Sequence, residues 1–109
     1  MAVALPEPIA DYFAADAAQD ADAVARCFSD EAIVRDDGHA YSGRTAIRLW
    51  KEETARKYDC TVEPVAITTE GDRAVVTGHV VGNFRGSPID LHYGFTLDGG
   101  KIAGLEIAA

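Results

Sequence analysis

The second half of the chain, "ITTEGDRAVVTGHVVGNFRGSPIDLHYGFTLDGGKIAGLEI", limits the possible folds more than any other stretch. Runs of β-branched and aromatic residues are broken by three glycine-containing turn signals: Gly71-Asp72, Gly86-Ser87 and Asp98-Gly99-Gly100. Strands joined by tight turns pair antiparallel, so the pattern from Cys60 onward predicts a four-stranded antiparallel meander, with Pro64 at a bulge or a strand edge. A two-residue turn at Gly86-Ser87 sets Phe84 opposite Ile89, Gly82 opposite Leu91, Val80 opposite Tyr93 and Gly78 opposite Phe95. The Gly71-Asp72 turn sets Ile67 against Val76 and Val65 against Gly78. One face then carries Val65, Ile67, Val76, Gly78, Val80, Gly82, Leu91, Tyr93, Phe95 and Leu97, and this is the concave or helix-packed side. Glycines opposite large side chains mark either tight packing or room for a ligand, and tight packing is the plainer reading.

The first half reads as helices around one strand. Pro6 and Pro8 suit a first helical turn, after which Ile9, Tyr12, Phe13 and Ala17 recur at helical spacing. "AQDADAVARCF" predicts a short helix capped by Asp20, with Val24, Cys27 and Phe28 facing inward. "SDEAIVRD" alternates as a strand does, and "SGRTAIRLWKEETARKY" returns to a helix with Ile47, Trp50 and Thr54 on one stripe. At 109 residues, without repeat or linker, the chain is expected to form a single domain spanning 1–109.

Charge narrows the partners. The formal balance of −8 argues against nucleic acid, which demands clustered Lys and Arg. The one loose basic group, Arg44, Arg48, Lys51, Arg56 and Lys57, reads as a solvated helix face with Glu52 and Glu53 as partners. Cys27 and Cys60 form no Cys-x-x-Cys or Cys/His cluster, so they are expected to be buried thiols and no metal site is expected. No run reaches membrane-spanning length, and the N-terminal segment lacks the basic and apolar regions of a signal peptide. A cytoplasmic protein is expected.

Three segments, "DYFAADAAQDADAVARCFSDEAIVRD", "YSGRTAIRLW" and "FTLDGGKIAGLEI", resemble the NTF2-like superfamily, in the branch of SnoaL-like polyketide cyclases and ketosteroid isomerases. The resemblance implies an α+β, cystatin-like cone in which three N-terminal helices pack on a curved antiparallel sheet. Fold alone does not give function. The isomerases align without gaps from the first helix through the first strand, which sets Tyr12 on their oxyanion-binding tyrosine and Asp36 on their proton-shuttling aspartate. Their third site residue, a protonated aspartate, is replaced here by Tyr93. A shorter loop after Asp36 and a shorter hairpin from Arg85 to Pro88 argue against steroid-sized substrates.

Strand alternation puts Asp36 on the side of Ala32 and Val34, and Asp37 on the other. Asp36 is then either a general base partly desolvated by Phe13, Phe28, Trp50 and Phe95, or a strand-end cap for the turn at Gly38. Tyr12 and Tyr93 are either donors to a developing oxyanion or core aromatics with satisfied hydroxyls. Phe13, Phe28, His39, Trp50, Val80 and Phe95 are the expected substrate-binding residues, with His39 and Tyr41 in a loop near the cavity mouth. Thr77, His79, Val81 and His92 fall on the opposite sheet face, through which the resemblance implies a homodimer. Three functions stay open. The first is an enzyme transferring protons on a small apolar carbonyl compound (isomerase, cyclase or dehydratase), with no metal or organic cofactor implied. The second is a non-catalytic module for an apolar ligand, and the third an interaction domain working through its outer sheet face.

Overall fold

The computed structural model describes residues 3–57 and 59–109. Helix α1 (Glu7–Ala17) starts at Pro6 with Pro8 in its first turn, where a missing amide N–H breaks no helical bond. It buries Ile9, Tyr12, Phe13 and Ala15, whereas Ala17 is exposed. Helix α2 (Ala21–Arg26) is capped as the sequence implies: the Ala23 N–H donates to the Asp20 carboxylate at 3.0 Å. Strand β1 (Phe28–Asp36) follows. Next comes β2 (His39–Ser42), which makes a hairpin of residues expected in a loop. Its turn is Asp37-Gly38, both at positive φ, and Asp-Gly is the pair that favours such a two-residue turn. Helix α3 (Arg44–Lys57) buries Ile47 and Trp50. Tyr58, expected to close that helix, lies outside the described residues.

Strands β3 (Cys60–Glu70), β4 (Arg73–Gly82), β5 (Ile89–Asp98) and β6 (Lys101–Ala108) form the expected meander. The full sheet has the order β2-β1-β6-β5-β4-β3. It is mixed, not wholly antiparallel, because β1 pairs with β6 in parallel. Alternation reveals that β1 is a strand but not which edge it joins or in which direction. The helices are likewise not all N-terminal to the sheet, since β1 and β2 separate α2 from α3.

Two register expectations change. Val80 pairs with Ile89, Gly78 with Leu91, Val76 with Tyr93 and Ala74 with Phe95, four residues away from a two-residue turn at Gly86-Ser87. The pairing stops short because Pro88 has no N–H for the ladder, and residues 83–88 form a wider loop in which Gly82 N–H donates to Ser87 Oγ at 2.9 Å. A shift of four is even, so the faces are preserved. On the other hairpin Ile67 meets Val76 as expected. Gly78, however, pairs with Pro64, because Val65 is the extra residue of a bulge and is half exposed instead of facing inward. Pro64 thus sits both at a bulge and on an edge strand, β3.

The pairings align Asp36, Ile107, Tyr93, Val76 and Ile67 in one row across five strands. Asp36 and Tyr93 therefore share the inner face, two strands and roughly 10 Å apart at the backbone. The helices cover this face. Tyr12 is the hub of the core, with edge-on contacts to Phe13, Phe28 and Phe95 at ring-centroid distances of 5.1, 6.0 and 5.5 Å. The outer face carries Val75, Thr77, His79, Val81 and His92; it also holds Asp90, whose carboxylate lies 2.8 Å from His79 Nδ1. Among the described residues, no helix is long and apolar enough to cross a membrane.

Candidate functional site

Where the helical layer ends, the inner sheet face is left uncovered. A cavity of about 1030 Å³ opens there between the α1–α2 corner, the C-terminal half of α3 and strands β3 to β6. It is as large as the sites that enclose drug-sized ligands. Its wall is apolar at Val24, Val62, Val80, Ile89, Leu91 and Ile107, and polar at Asp16, Asp36, Lys51, Glu52, Arg56, Arg85 and Tyr93.

Asp36 ends β1 on the inner face and lines this cavity, while Asp37 takes the positive φ that turns the chain. The indole of Trp50, projecting from α3, donates its Nε1–H to Asp36 Oδ2 at 3.1 Å. One carboxylate oxygen is therefore held, which fixes the direction of the other. Tyr41 stacks on the indole at 5.9 Å and 30° and so holds Trp50 from its far side. Tyr41, expected in a loop near the cavity mouth, is instead a strand residue paired with Val34 of β1. His39 is the cross-strand partner of Asp36, but its side chain is exposed and borders a smaller recess of about 340 Å³ beyond Trp50.

Tyr93 lines the cavity, and its phenol is held protonated well above the usual range, first by burial. Its ring has room because Gly78 is nearby: a Cβ on Gly78 would lie 2.7 Å from Tyr93 Cε1 and 2.9 Å from Val62 Cγ1. The glycines of β4 thus mark tight packing, and Gly78 seats a site residue. Tyr12 is one layer deeper. Its hydroxyl is buried without a hydrogen-bond partner among the described residues, and its pKa is driven far up by burial and then by the charges of Asp16 and Asp36. Phe28 and Phe95 are wholly buried and Phe13 nearly so; with Tyr12 they form the core behind the cavity and are not part of its wall. Of the aromatic side chains expected around Asp36, only Trp50 bonds to it.

Lys51 was read from the sequence as a solvated helix residue, and the structure corrects this. Its side chain is only 12% exposed, with Nζ 2.8 Å from Asp16 Oδ1. Nζ also lies over the Trp50 ring at 4.3 Å and the Tyr12 ring at 5.3 Å. Arg48 and Lys57 behave as expected, meeting Glu52 at 2.6 Å and Glu53 at 3.7 Å, whereas Arg44 pairs with Asp30 at 2.8 Å. Cys27 and Cys60, expected to be buried, are partly exposed free thiols with pKa values raised by burial.

A family model described as a SnoaL-like domain matches residues 9–105. A candidate polyketide cyclase from Sinorhizobium meliloti is 39% identical over 95% of both chains, with a TM-score of 0.92. A protein of ketosteroid isomerase-like fold from Catenulispora acidiphila, solved with trimethylamine, superposes with a TM-score of 0.87 at 19% identity, covering 97% of this chain and 87% of its own. The epoxide hydrolase/cyclase-like enzyme SalBIII, from pyran ring formation in salinomycin, gives 0.78 at 24% identity over 93% and 86%. No curated protein matches the chain.

Proposed function

The chain belongs to the SnoaL-like domain family, and on that premise we propose that it is a cofactor-independent proton-transfer enzyme acting on a small apolar carbonyl compound. The observation that carries this reading is the Asp36 carboxylate, oriented by the Trp50 N–H at the wall of a large cavity with an aliphatic sheet side. With Oδ2 bonded to the indole, the free oxygen takes a proton from the carbon next to the substrate carbonyl. The C–H electron pair moves into the enolate, and the same carboxyl returns the proton at another position. Tyr93 donates a hydrogen bond to the enolate oxygen, and its raised pKa keeps the donor protonated throughout. Tyr12, expected as a second oxyanion donor, stands behind the cavity wall with its hydroxyl wholly buried, so it takes no direct part in the step. Trp50 and Val80 shape the wall, Phe13, Phe28 and Phe95 support it from behind, and His39 borders only the smaller recess beyond Trp50. The kinship with a candidate polyketide cyclase favours ring closure or isomerisation as the outcome.

The protein acts as a homodimer through Thr77, His79, Val81 and His92, a reading supported by the half-exposed Val81 and Val75 on that face. Its free cysteines suit a reducing cytoplasm. A screen of small enolisable ketones tests the reading: bound ligands raise the melting temperature with concentration, and turned-over ones exchange α-hydrogen with solvent. A panel that stabilises the protein without any exchange, in wild type, would favour the binding-module reading.

A further inference from the structure

Resting on the reading above, we infer that Lys51 is a catalytic residue of this cavity, its ammonium taking the developing negative charge on the substrate oxygen while Asp36 removes the proton. Three features of its placement support this.

First, the amine is not where a solubilising lysine would be. It is nearly buried, borders the same cavity as Asp36 and, among the described residues, has one carboxylate partner, Asp16 at 2.8 Å. An ammonium has three N–H donors, and Asp16 occupies one. Among the described residues, the other contacts of Nζ are to the π faces of Trp50 and Tyr12, which hold a cation in place without consuming a directed donor as an oxygen would. A donor therefore remains for a ligand oxygen.

Second, Trp50 joins the two charged groups. Its Nε1–H fixes Asp36 and its ring face supports Lys51, so one rigid indole sets the spacing between base and cation. Such preorganisation is what a proton-transfer site requires of an oxyanion stabiliser.

Third, a structural tether between α1 and α3 does not require a lysine here. A desolvated ion pair adds little net stability compared with packed apolar residues of similar size, so stability alone gives no reason for a charge at the cavity wall. Asp16 is the positioning residue, one helical turn from Tyr12 on α1.

The test uses 4-nitrophenol, a chromophoric mimic of an enol whose ionised form absorbs separately. In wild type the bound dye should ionise about 1–3 pH units below the free dye, as expected for a cation within contact distance. Lys51→Met should abolish that shift and slow α-hydrogen exchange of a ketone ligand by about 10²–10³-fold. Lys51→Arg, which keeps the charge, should restore part of both. Asp16→Asn/Lys51→Met removes both partners and leaves no orphaned charge; if it folds like wild type and still lacks the shift, misfolding is excluded as the cause. Equal dye ionisation in wild type and Lys51→Met, or equal exchange rates, overturns the assignment of Lys51 while leaving Asp36 in place. Failure of wild type to bind the dye or exchange any ketone overturns the assignment together with the reading on which it rests.

Discussion

Replacing Gly78 by alanine reports on the site through stability. Two effects oppose each other. A strand glycine that becomes alanine ordinarily gains about 0.4–1 kcal/mol, because the unfolded chain loses freedom. Against this, the added Cβ would stand 2.7 Å from Tyr93 Cε1 and 2.9 Å from Val62 Cγ1, roughly 1 Å inside comfortable carbon–carbon separation. Neither neighbour is the tip of a flexible chain: the ring is packed between Phe13 at 5.2 Å and Phe95 at 6.4 Å, and Val62 is β-branched on β3. Overpacking of this kind costs about 1–3 kcal/mol, so the net change runs from about zero to a loss of about 2.6 kcal/mol at the upper end. For a domain of this size that corresponds to a fall in melting temperature of the order of 10 °C. The assay is urea denaturation of Gly78→Ala, Tyr93→Leu and the double variant. Because the clash involves the Tyr93 ring, the alanine should cost distinctly less in the Tyr93→Leu background. A stabilising Gly78→Ala, or equal cost in both backgrounds, would refute the claim that Gly78 seats Tyr93.

Trp50→Phe keeps an aromatic ring but removes the N–H bound to Asp36; a hydrogen bond to a charged group is worth about 1.5–3 kcal/mol, so kcat should fall roughly 10- to 100-fold with little change in KM, and an unchanged kcat would remove the indole from the mechanism. Alkaline stability should also report on the phenols. Unfolded tyrosine ionises near pH 10, whereas burial holds Tyr12 and Tyr93 protonated well above it, so the stabilisation is complete below pH 10 and is lost as pH rises past it. Each phenol contributes a slope of about 1.4 kcal/mol per pH unit, and Tyr93→Phe should flatten the pH dependence of unfolding by that amount; an identical slope would contradict its burial. Val81→Asp, at a position 46% exposed on the outer sheet face, should convert a sedimenting dimer into a monomer, and a monomeric wild type would refute the dimer.

Much of the fold was legible because its signals are local. The Asp20 cap, the proline start of α1 and the turns at Gly71-Asp72 and Gly99-Gly100 act within a few residues, and the structure reproduces them. What sequence could not supply was long-range. Nothing local tells β1 to join β6 in parallel, and the width of the 83–88 loop depends on Pro88 withholding a ladder donor rather than on the glycine beside it. The inward placement of Asp36 survived because strand parity is unaffected by such errors. Lys51 was misread for a different reason: a helical lysine among glutamates is indistinguishable in sequence from one that turns inward, and its partner Asp16 lies 35 residues away. Tyr41, expected in a loop at the cavity mouth, sits in β2 instead because Asp37-Gly38 makes a tight hairpin turn.

Asp36 as the proton-transferring base is the claim on which the functional account stands. Its most direct measurement is the rate of solvent-deuterium incorporation at the α-carbon of the ketone that binds best, compared between wild type and Asp36→Asn by NMR. The asparagine keeps the size of the side chain and an oxygen for the indole to bond, so ligand stabilisation should persist while exchange falls by at least about 10²-fold. Exchange at the wild-type rate in Asp36→Asn would contradict the account.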